Sequence, residues 1–296
     1  MCSEKISVRP VDTQDAAQLV SQLGDRLNSG RFNDLVLYDM CQKLAREDAA
    51  SEKALSLVGA WREDENLGLL ALRPVVTTGW LSTEVPVLEQ FVPSLGTLRT
   101  SLLKAPVEDA VPLWELLAAM GFHSSLEREE TSHCLMRDKH ADLAHSTEAY
   151  QSVAGEPRLH PAVELDFESL VWASRASLIE EGRPDTYQQD PMGFRHWVRE
   201  RMPYARVLRV DGEVVFTVWA DVALSEGWLA QGVYTWPEVR RHGFARRGMA
   251  MLCDEAFSQG ADHVQLSVVT GNRAAEDLYS ELGFDSVQRL HTVLFS

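Results

Sequence analysis

The sequence is poor in several arrangements that would assign it to a common class. Cysteine is scarce: Cys2, Cys41, Cys134 and Cys253 are scattered, with no C-x-x-C pair and no histidine at metal-ligand spacing. A disulfide framework and a zinc site are thereby excluded; the thiols read as reduced and structural, and no metal is expected. No apolar run approaches the roughly 18 residues of a spanning helix, and Met1 to Pro10 lacks the apolar core of a signal peptide. No membrane association and a cytoplasmic location are expected. Positive charge is also in deficit, with 28 Lys and Arg against 44 Asp and Glu, a formal net charge of −16. That balance repels phosphate backbones and anionic lipid, so nucleic acid is not an expected partner and a neutral or cationic one fits better.

What remains is an ordinary globular composition, 45% apolar and 24% charged over 296 residues, enough for two domains with proper cores. Between Asp138 and Pro161 the hydrophobic period fades and His, Asp, Ser, Glu and Pro accumulate, which reads as a linker. The expected domains are therefore residues 1–148 and 149–296.

The first half opens with a short strand, Ile6 to Asp12, and a helix capped by Asp12 or Thr13 with Ala16, Leu19, Val20 and Leu23 on its apolar face. Ser56–Arg62 and Leu67–Arg73 read as a hairpin turning at Glu65-Asn66. A helix from about Glu108, with Val111, Trp114, Leu117 and Ala118 on one side, stops at Gly121. In the second half, helical patterns cover Phe167–Ile179 and Pro191–Arg201, separated by the loop Glu181 to Asp185. A hairpin of Ala205–Val210 and Glu213–Ala220 flanks Asp211-Gly212, a pair suited to a type I′ turn because both central residues need positive φ. A strand over Gly227–Thr235 ends at Pro237, which cannot donate to a ladder. Then come a helix, Gly243–Ser258, a strand, His263–Val269, a helix carrying Ala275, Leu278 and Leu282, and a last strand, Val287–Phe295. This order describes an α/β protein of α+β type, a mixed twisted sheet flanked by helices.

Chemistry concentrates at Arg240-Arg-His-Gly-Phe-Ala245, where a strand gives way to a helix. The first turn of a helix leaves backbone N–H groups without partners and carries partial positive charge, so a phosphate binds there without a dedicated side chain. Gly243 permits close backbone approach and Ala245 keeps the groove open. Arg240, Arg241, His242, Arg246 and Arg247 make a basic cluster in an acidic protein, which points to an anionic ligand.

The run Val233-Tyr-Thr-Trp-Pro-Glu-Val-Arg-Arg-His-Gly-Phe-Ala-Arg-Arg-Gly-Met resembles the acetyl-coenzyme A signature of the GNAT acetyltransferase superfamily, Gln/Arg-x-x-Gly-x-Gly/Ala, through Arg240, Gly243 and Ala245. Val264–Val269 followed by Thr270-Gly-Asn-Arg-Ala-Ala-Glu-Asp-Leu-Tyr-Ser-Glu-Leu-Gly-Phe284 is similar to the second signature of that superfamily, at the right distance downstream. The resemblance implies a V-shaped opening between the strand ending near Tyr234 and the one at Leu266 to Val268, with acetyl-coenzyme A or another acyl-coenzyme A as co-substrate. It implies contacts to the coenzyme from Val233, Tyr234, Arg240, Arg241, His242, Gly243, Phe244, Ala245, Arg246, Asn272 and Tyr279. A backbone N–H near Val233 would polarise the thioester carbonyl. Asn272 would contact the pantetheine arm, and Tyr279 would protonate the departing thiolate. The third-strand glutamate that serves as base in many members is replaced by Gln231; Glu180 and Glu181 are the substitutes considered, with Trp172 and Trp197 as candidate walls of the acceptor side.

Trp114-Glu-Leu-Leu-Ala-Ala-Met-Gly-Phe122 parallels Glu276-Asp-Leu-Tyr-Ser-Glu-Leu-Gly-Phe284, so the first half looks like a degenerate second copy. Leu117 stands where Tyr279 does, and no phosphate-turn pattern lies between Trp80 and Pro106, which argues against a catalytic role there. Such a half could wall the acceptor pocket or mediate pairing into a homodimer. Two functions are carried forward: an acyl-coenzyme A dependent N-acyltransferase, most simply acetyl, acting on a small-molecule or protein amine by direct attack, or a non-catalytic acyl-coenzyme A sensor or docking module.

Overall fold

The computed structural model describes residues 6–46, 55–63, 65–81, 85–144 and 157–296. The first half runs β1 (Ile6–Pro10), α1 (Thr13–Asn28), α2 (Leu35–Ala45), β2 (Ser56–Arg62), β3 (Glu65–Arg73), β4 (Thr77–Leu81), α3 (Val85–Gln90), α4 (Val92–Leu95), β5 (Leu102–Pro106), α5 (Val107–Ala119), β6 (Ser124–Met136) and α6 (Arg137–Ala144). The second continues with β7 (Leu159–Pro161), α7 (Phe167–Glu180), α8 (Thr186–Gln189), α9 (Pro191–Arg201), β8 (Ala205–Val210), β9 (Glu213–Ala223), β10 (Trp228–Thr235), α10 (Phe244–Ser258), β11 (His263–Val269), α11 (Arg273–Glu281) and β12 (Asp285–Phe295). From β1 to β6 and from β7 to β12 the order corresponds: a strand, two helices in the first copy and three in the second, three strands, a helical connection, a strand, a helix and a strand.

Compactness nevertheless does not follow the two halves. Met1–Ser132 group with Gln288–Ser296, and His133–Val287 form the other unit. The boundary expected at 148–149 lies outside the described residues. The strand expected to close the second half serves the first unit instead: Leu290 to Leu294 pair antiparallel with Pro106 to Leu102.

In the first unit, β1, β2, β3 and β4 form an antiparallel sheet in that order, and β12 lies between β5 and β6. Its core gathers Leu70, Leu103, Leu113, Leu117, Val293 and Phe295. Asp12 caps α1, its side chain accepting from the Asp15 amide at 2.8 Å. The buried face of α5 is Ala110, Leu113 and Leu117, while Val111 is exposed. The helix is apolar on several sides, so its period alone did not select the face. Arg62 pairs with Glu65 and Trp61 with Asn66, so Glu65 and Asn66 belong to β3 and the β2–β3 reversal is not at Glu65-Asn66. Asn66 is held in the strand because its Oδ1 accepts from the Trp80 indole at 2.9 Å. Glu130, on β6 and 3% exposed, accepts from Lys104 Nζ at 2.6 Å, Arg128 Nε at 2.9 Å and Thr292 Oγ1 at 3.0 Å.

The second unit orders its strands β6-β11-β10-β9-β8-β7. β7, β8, β9 and β10 are antiparallel in turn, and β10 meets β11 in parallel. Phe216, Val218, Met249, Leu252 and Leu266 fill the face under α10 and α11, whereas Phe167, Leu170, Val198, Val207 and Trp219 fill the face under α7 and α9. The β8–β9 turn has Asp211 at φ 51° and Gly212 at φ 87°, the positive pair its sequence anticipates. The stretch read as a linker from Asp138 to Pro161 is corrected at both ends, where α6 and β7 stand, and 145–156 lie outside the described residues. Tertiary contacts hold α6 where periodicity is weak: Arg137 Nε donates to the Ala261 carbonyl at 2.8 Å and His140 Nε2 lies 2.8 Å from Asp254 Oδ1.

Candidate active site

β10 and β11 are matched only at Trp228↔Val264 and Leu229↔Gln265, after which they diverge. On its other side β10 skips register against β9, between Gln231↔Trp219 and Tyr234↔Thr217, so Gly232 and Val233 are matched to no β9 residue. Glycine is required at this bulge. Its φ is 54°, and a Cβ there would stand 2.5 Å from Trp219 Cδ1. The bulge takes Val233 out of the regular ladder beside the opening, where the resemblance places the carbonyl-polarising N–H.

Past Thr235 the chain makes a short 3-10 turn, Pro237–Val239, then enters α10 through Arg241 at φ 66° and Gly243 at φ 82°. No side chain caps α10, and the first bond at its start is Arg247 N–H to the Gly243 carbonyl at 3.0 Å. Among the described residues the N–H groups of Arg241 to Arg246 meet no acceptor. A Cβ on Gly243 would find nothing within 4 Å. The result is an open concavity lined with backbone donors at the positive end of a helix, a fit for a diphosphate.

The cationic side chains around it are turned to other partners. Arg240 donates Nε to the Thr235 carbonyl at 3.0 Å and its terminal nitrogen to both Glu180 oxygens at 2.8 and 2.9 Å. Arg246 pairs with Glu281 of α11. His242 Nδ1 lies 3.1 and 3.0 Å from the Val239 and Arg240 carbonyls, and the His242 ring stacks on Phe244 with centroids 6.2 Å apart. Arg241 is exposed and Ala245 half-buried. The basic cluster thus leaves backbone as the principal donor set.

Glu180 also accepts from the Tyr234 hydroxyl at 3.0 Å. Burial, then that bond to Glu180, pushes the Tyr234 phenol up to about 12. The Glu180 oxygens are thus engaged by a guanidinium and a phenol and are not turned to a substrate amine. Glu181 is the exposed C-cap of α7. Gln231 is exposed on β10. The Glu180–Arg240–Tyr234 cluster was not anticipated, since the three lie up to 60 residues apart in sequence.

Asn272 caps α11, its Oδ1 accepting from Ala275 N–H at 3.3 Å. Tyr279 is 5% exposed, packed against Phe284 with centroids 5.6 Å apart and His133 at 6.4 Å. Burial, with the Cys253 thiol nearby, pushes its pKa up, so the phenol is neutral at pH 7 and keeps its proton. His133 was missed by the sequence reading. It is 6% exposed, its Nε2 has no partner among the described residues, and burial pushes its pKa down so that the ring is neutral. No sequence signal marks it.

On the α7 face a cavity of about 490 Å³ is lined by Trp172, Trp236, Tyr187, Arg175, Arg195 and Glu168. Trp172 lines this cavity, and Trp197 packs on Phe194 with centroids 5.3 Å apart. Among the described residues no group of three or more His, Cys, Asp or Glu is placed to hold a metal, and no helix is long and apolar enough to cross a membrane. Cys41, Cys134 and Cys253 are free and buried; Cys2 lies outside the described residues.

Comparison with known proteins agrees with this geometry. No curated protein matches the chain. A Drosophila protein solved by X-ray diffraction is 12% identical with a TM-score of 0.66, the match covering 97% of this chain and 98% of that one. A GCN5-related N-acetyltransferase from Sphaerobacter thermophilus gives 14% and 0.60 over 98% and 96%. A tandem GNAT protein from the clavulanic acid biosynthesis pathway gives 16% and 0.56 over 97% and 98%. Similarity at this level concerns the fold, and it spans nearly all of the chain. Residues 167–284, which contain the splayed strands, the donor-lined turn and Tyr279, match the acetyltransferase (GNAT) family, and the second half of the chain carries a domain of that family.

Proposed function

We propose that the protein is an acyl-coenzyme A dependent N-acyltransferase, transferring acetyl to a primary amine of a small molecule or protein by direct attack in a ternary complex. The observation that carries this reading is the run of unpartnered N–H groups from Arg241 to Arg246, set one strand-end away from the divergence of β10 and β11. The coenzyme, when bound, supplies the activated acyl group. The turn at Gly243 holds its diphosphate through backbone donors, and the bulge at Gly232-Val233 offers an N–H to the developing oxyanion. Tyr279 holds a proton for the leaving sulfur. Asn272 keeps its amide nitrogen for the pantetheine arm while its oxygen caps α11. Gln231 has no basicity and Glu180 is engaged, so the proton of the attacking amine passes to water.

Leu117 stands where Tyr279 does in the second copy, and the first half is read as non-catalytic. The expectations of a cytoplasmic setting and of pairing into a homodimer belong to the same proposal. Gln231 in place of an acid favours a second reading, an acyl-coenzyme A sensor without turnover. A thiol-release assay with acetyl-coenzyme A and a panel of amines separates the two. Release that depends on an amine supports transfer; tight coenzyme binding with no release from any amine supports the sensor.

A further inference from the structure

The cavity beside α7 is unusual in its chemistry. Trp172 and Trp236 stack with centroids 5.4 Å apart and planes 18° from parallel, and Tyr234 meets each edge-on at 5.7 and 5.6 Å. Trp172 is 44% exposed, a large aromatic surface left to solvent. Tyr234 and Trp236 belong to the end of β10 and the residue after it, so this aromatic wall is continuous with the strand that carries the bulge at Val233.

The remaining wall is cationic. Arg175 gives Nε and one terminal nitrogen to Asp185, lies over the Tyr187 ring at 4.8 Å, and its other terminal nitrogen has no partner among the described residues. Arg195 pairs with Glu168, whose side chain is 71% exposed. Ion pairs so exposed hold weakly and exchange partners readily. Two guanidiniums in one small cavity disfavour a polycation despite the acidity of the whole chain. They favour a carboxylate, which a planar guanidinium binds directionally. Stacked indoles favour a flat apolar body.

We infer that this cavity selects the acyl acceptor, and that the acceptor is an amine carrying both an aromatic group and a carboxylate, as an aromatic amino acid does. The inference rests on the transferase reading. In the reaction the amine nitrogen bonds to the thioester carbonyl carbon and the carbon–sulfur bond breaks. The sulfur leaves with a proton from Tyr279, and the nitrogen loses one to water. The products are an N-acyl amino acid and free coenzyme thiol.

Calorimetric titration of the full-length protein, without coenzyme, with L-tryptophan, tryptamine, indole-3-propionate and spermidine tests it. Saturable binding of L-tryptophan and indole-3-propionate, with tryptamine about tenfold weaker, is expected, a factor that one charge-assisted hydrogen bond provides. Arg175→Gln should erase the gap between tryptophan and tryptamine, and Trp172→Ala should weaken all three indoles, both with unchanged melting temperature. Spermidine or tryptamine binding more tightly than tryptophan, no binding of either indole acid at millimolar concentration, or an undiminished gap in Arg175→Gln would each overturn the inference. Coenzyme binding, measured separately, reports on the transferase reading, so the two can fail independently.

Discussion

In the proposed reading Gly243 is the residue on which the coenzyme turn depends, through its backbone and not its side chain. With φ at 82° and open space beyond its Cα, glutamate there costs about 1–2 kcal/mol of left-handed strain without a clash. Its carboxylate would sit among the donors meant for a diphosphate. Repulsion of about 3 kcal/mol at partly screened distances lowers coenzyme affinity on the order of a hundredfold. Calorimetry with coenzyme A on Gly243→Glu checks this, beside a melting curve that should stay cooperative; unchanged affinity removes the turn from the site. Tyr279→Phe deletes a hydroxyl with no hydrogen-bond partner among the described residues, so stability should hold while kcat falls by about a hundredfold or more with little change in coenzyme affinity. Equal rates would leave Tyr279 a packing residue.

These residues were legible because local needs dictate their identity: only glycine suits the turn, and an aromatic four residues after the apolar helix position Ala275 falls on the buried face. The engagement of Arg240 with Glu180 was not legible. Which way an arginine turns is decided by a carboxylate sixty positions earlier, and only the packing of α7 on β10 brings the two together.

Among the elements, β6 was the least legible. Its run Ser-Ser-Leu-Glu-Arg-Glu-Glu-Thr-Ser-His alternates, but with charges where a core strand has apolar residues. Glu130 explains how it is accommodated. Burial alone would raise its pKa, yet Lys104, Arg128 and Thr292 hold it at about 2. The folded value lies below the unfolded one, so this stabilisation is present above about pH 4.5 and is lost as pH falls toward 2. Its size is about 3 kcal/mol, from roughly 1.4 kcal/mol per unit. Glu130→Gln should therefore destabilise the protein by a similar amount at pH 7, and the difference from wild type should shrink as the pH is lowered through 4 to 3. Denaturant melts at several pH values measure both; a gap independent of pH would show that the carboxylate charge is not what matters.

For the molecule as a whole, the repeated order of elements suggests two self-contained halves, but the last strand of the second copy pairs with β5 in the first unit and β6 is divided between the two units. Internal similarity fixes where each copy begins and ends along the chain, not which neighbour its final strand takes, because β5 and β11 are equivalent strands of the two copies and β12 pairs with the first while β6 pairs with the second. The consequence concerns fragments. Residues 149–296 lack Leu135 from the core of the second unit, lack α6 with its His140–Asp254 and Arg137–Ala261 contacts, and carry Val293 and Phe295 with no first-unit core to bury them. Residues 133–287 restore the last four residues of β6, Leu135 among them, and all of α6, and omit all but the start of β12. Two large side chains left in water forfeit about 1.5–3 kcal/mol each, and an unpaired β11 edge invites association. The fragment 133–287 should give a cooperative thermal transition and bind coenzyme A, while 149–296 should aggregate or melt without a defined midpoint. The reverse outcome would mean that the second copy folds around its own last strand, and that the exchange is not built into the fold.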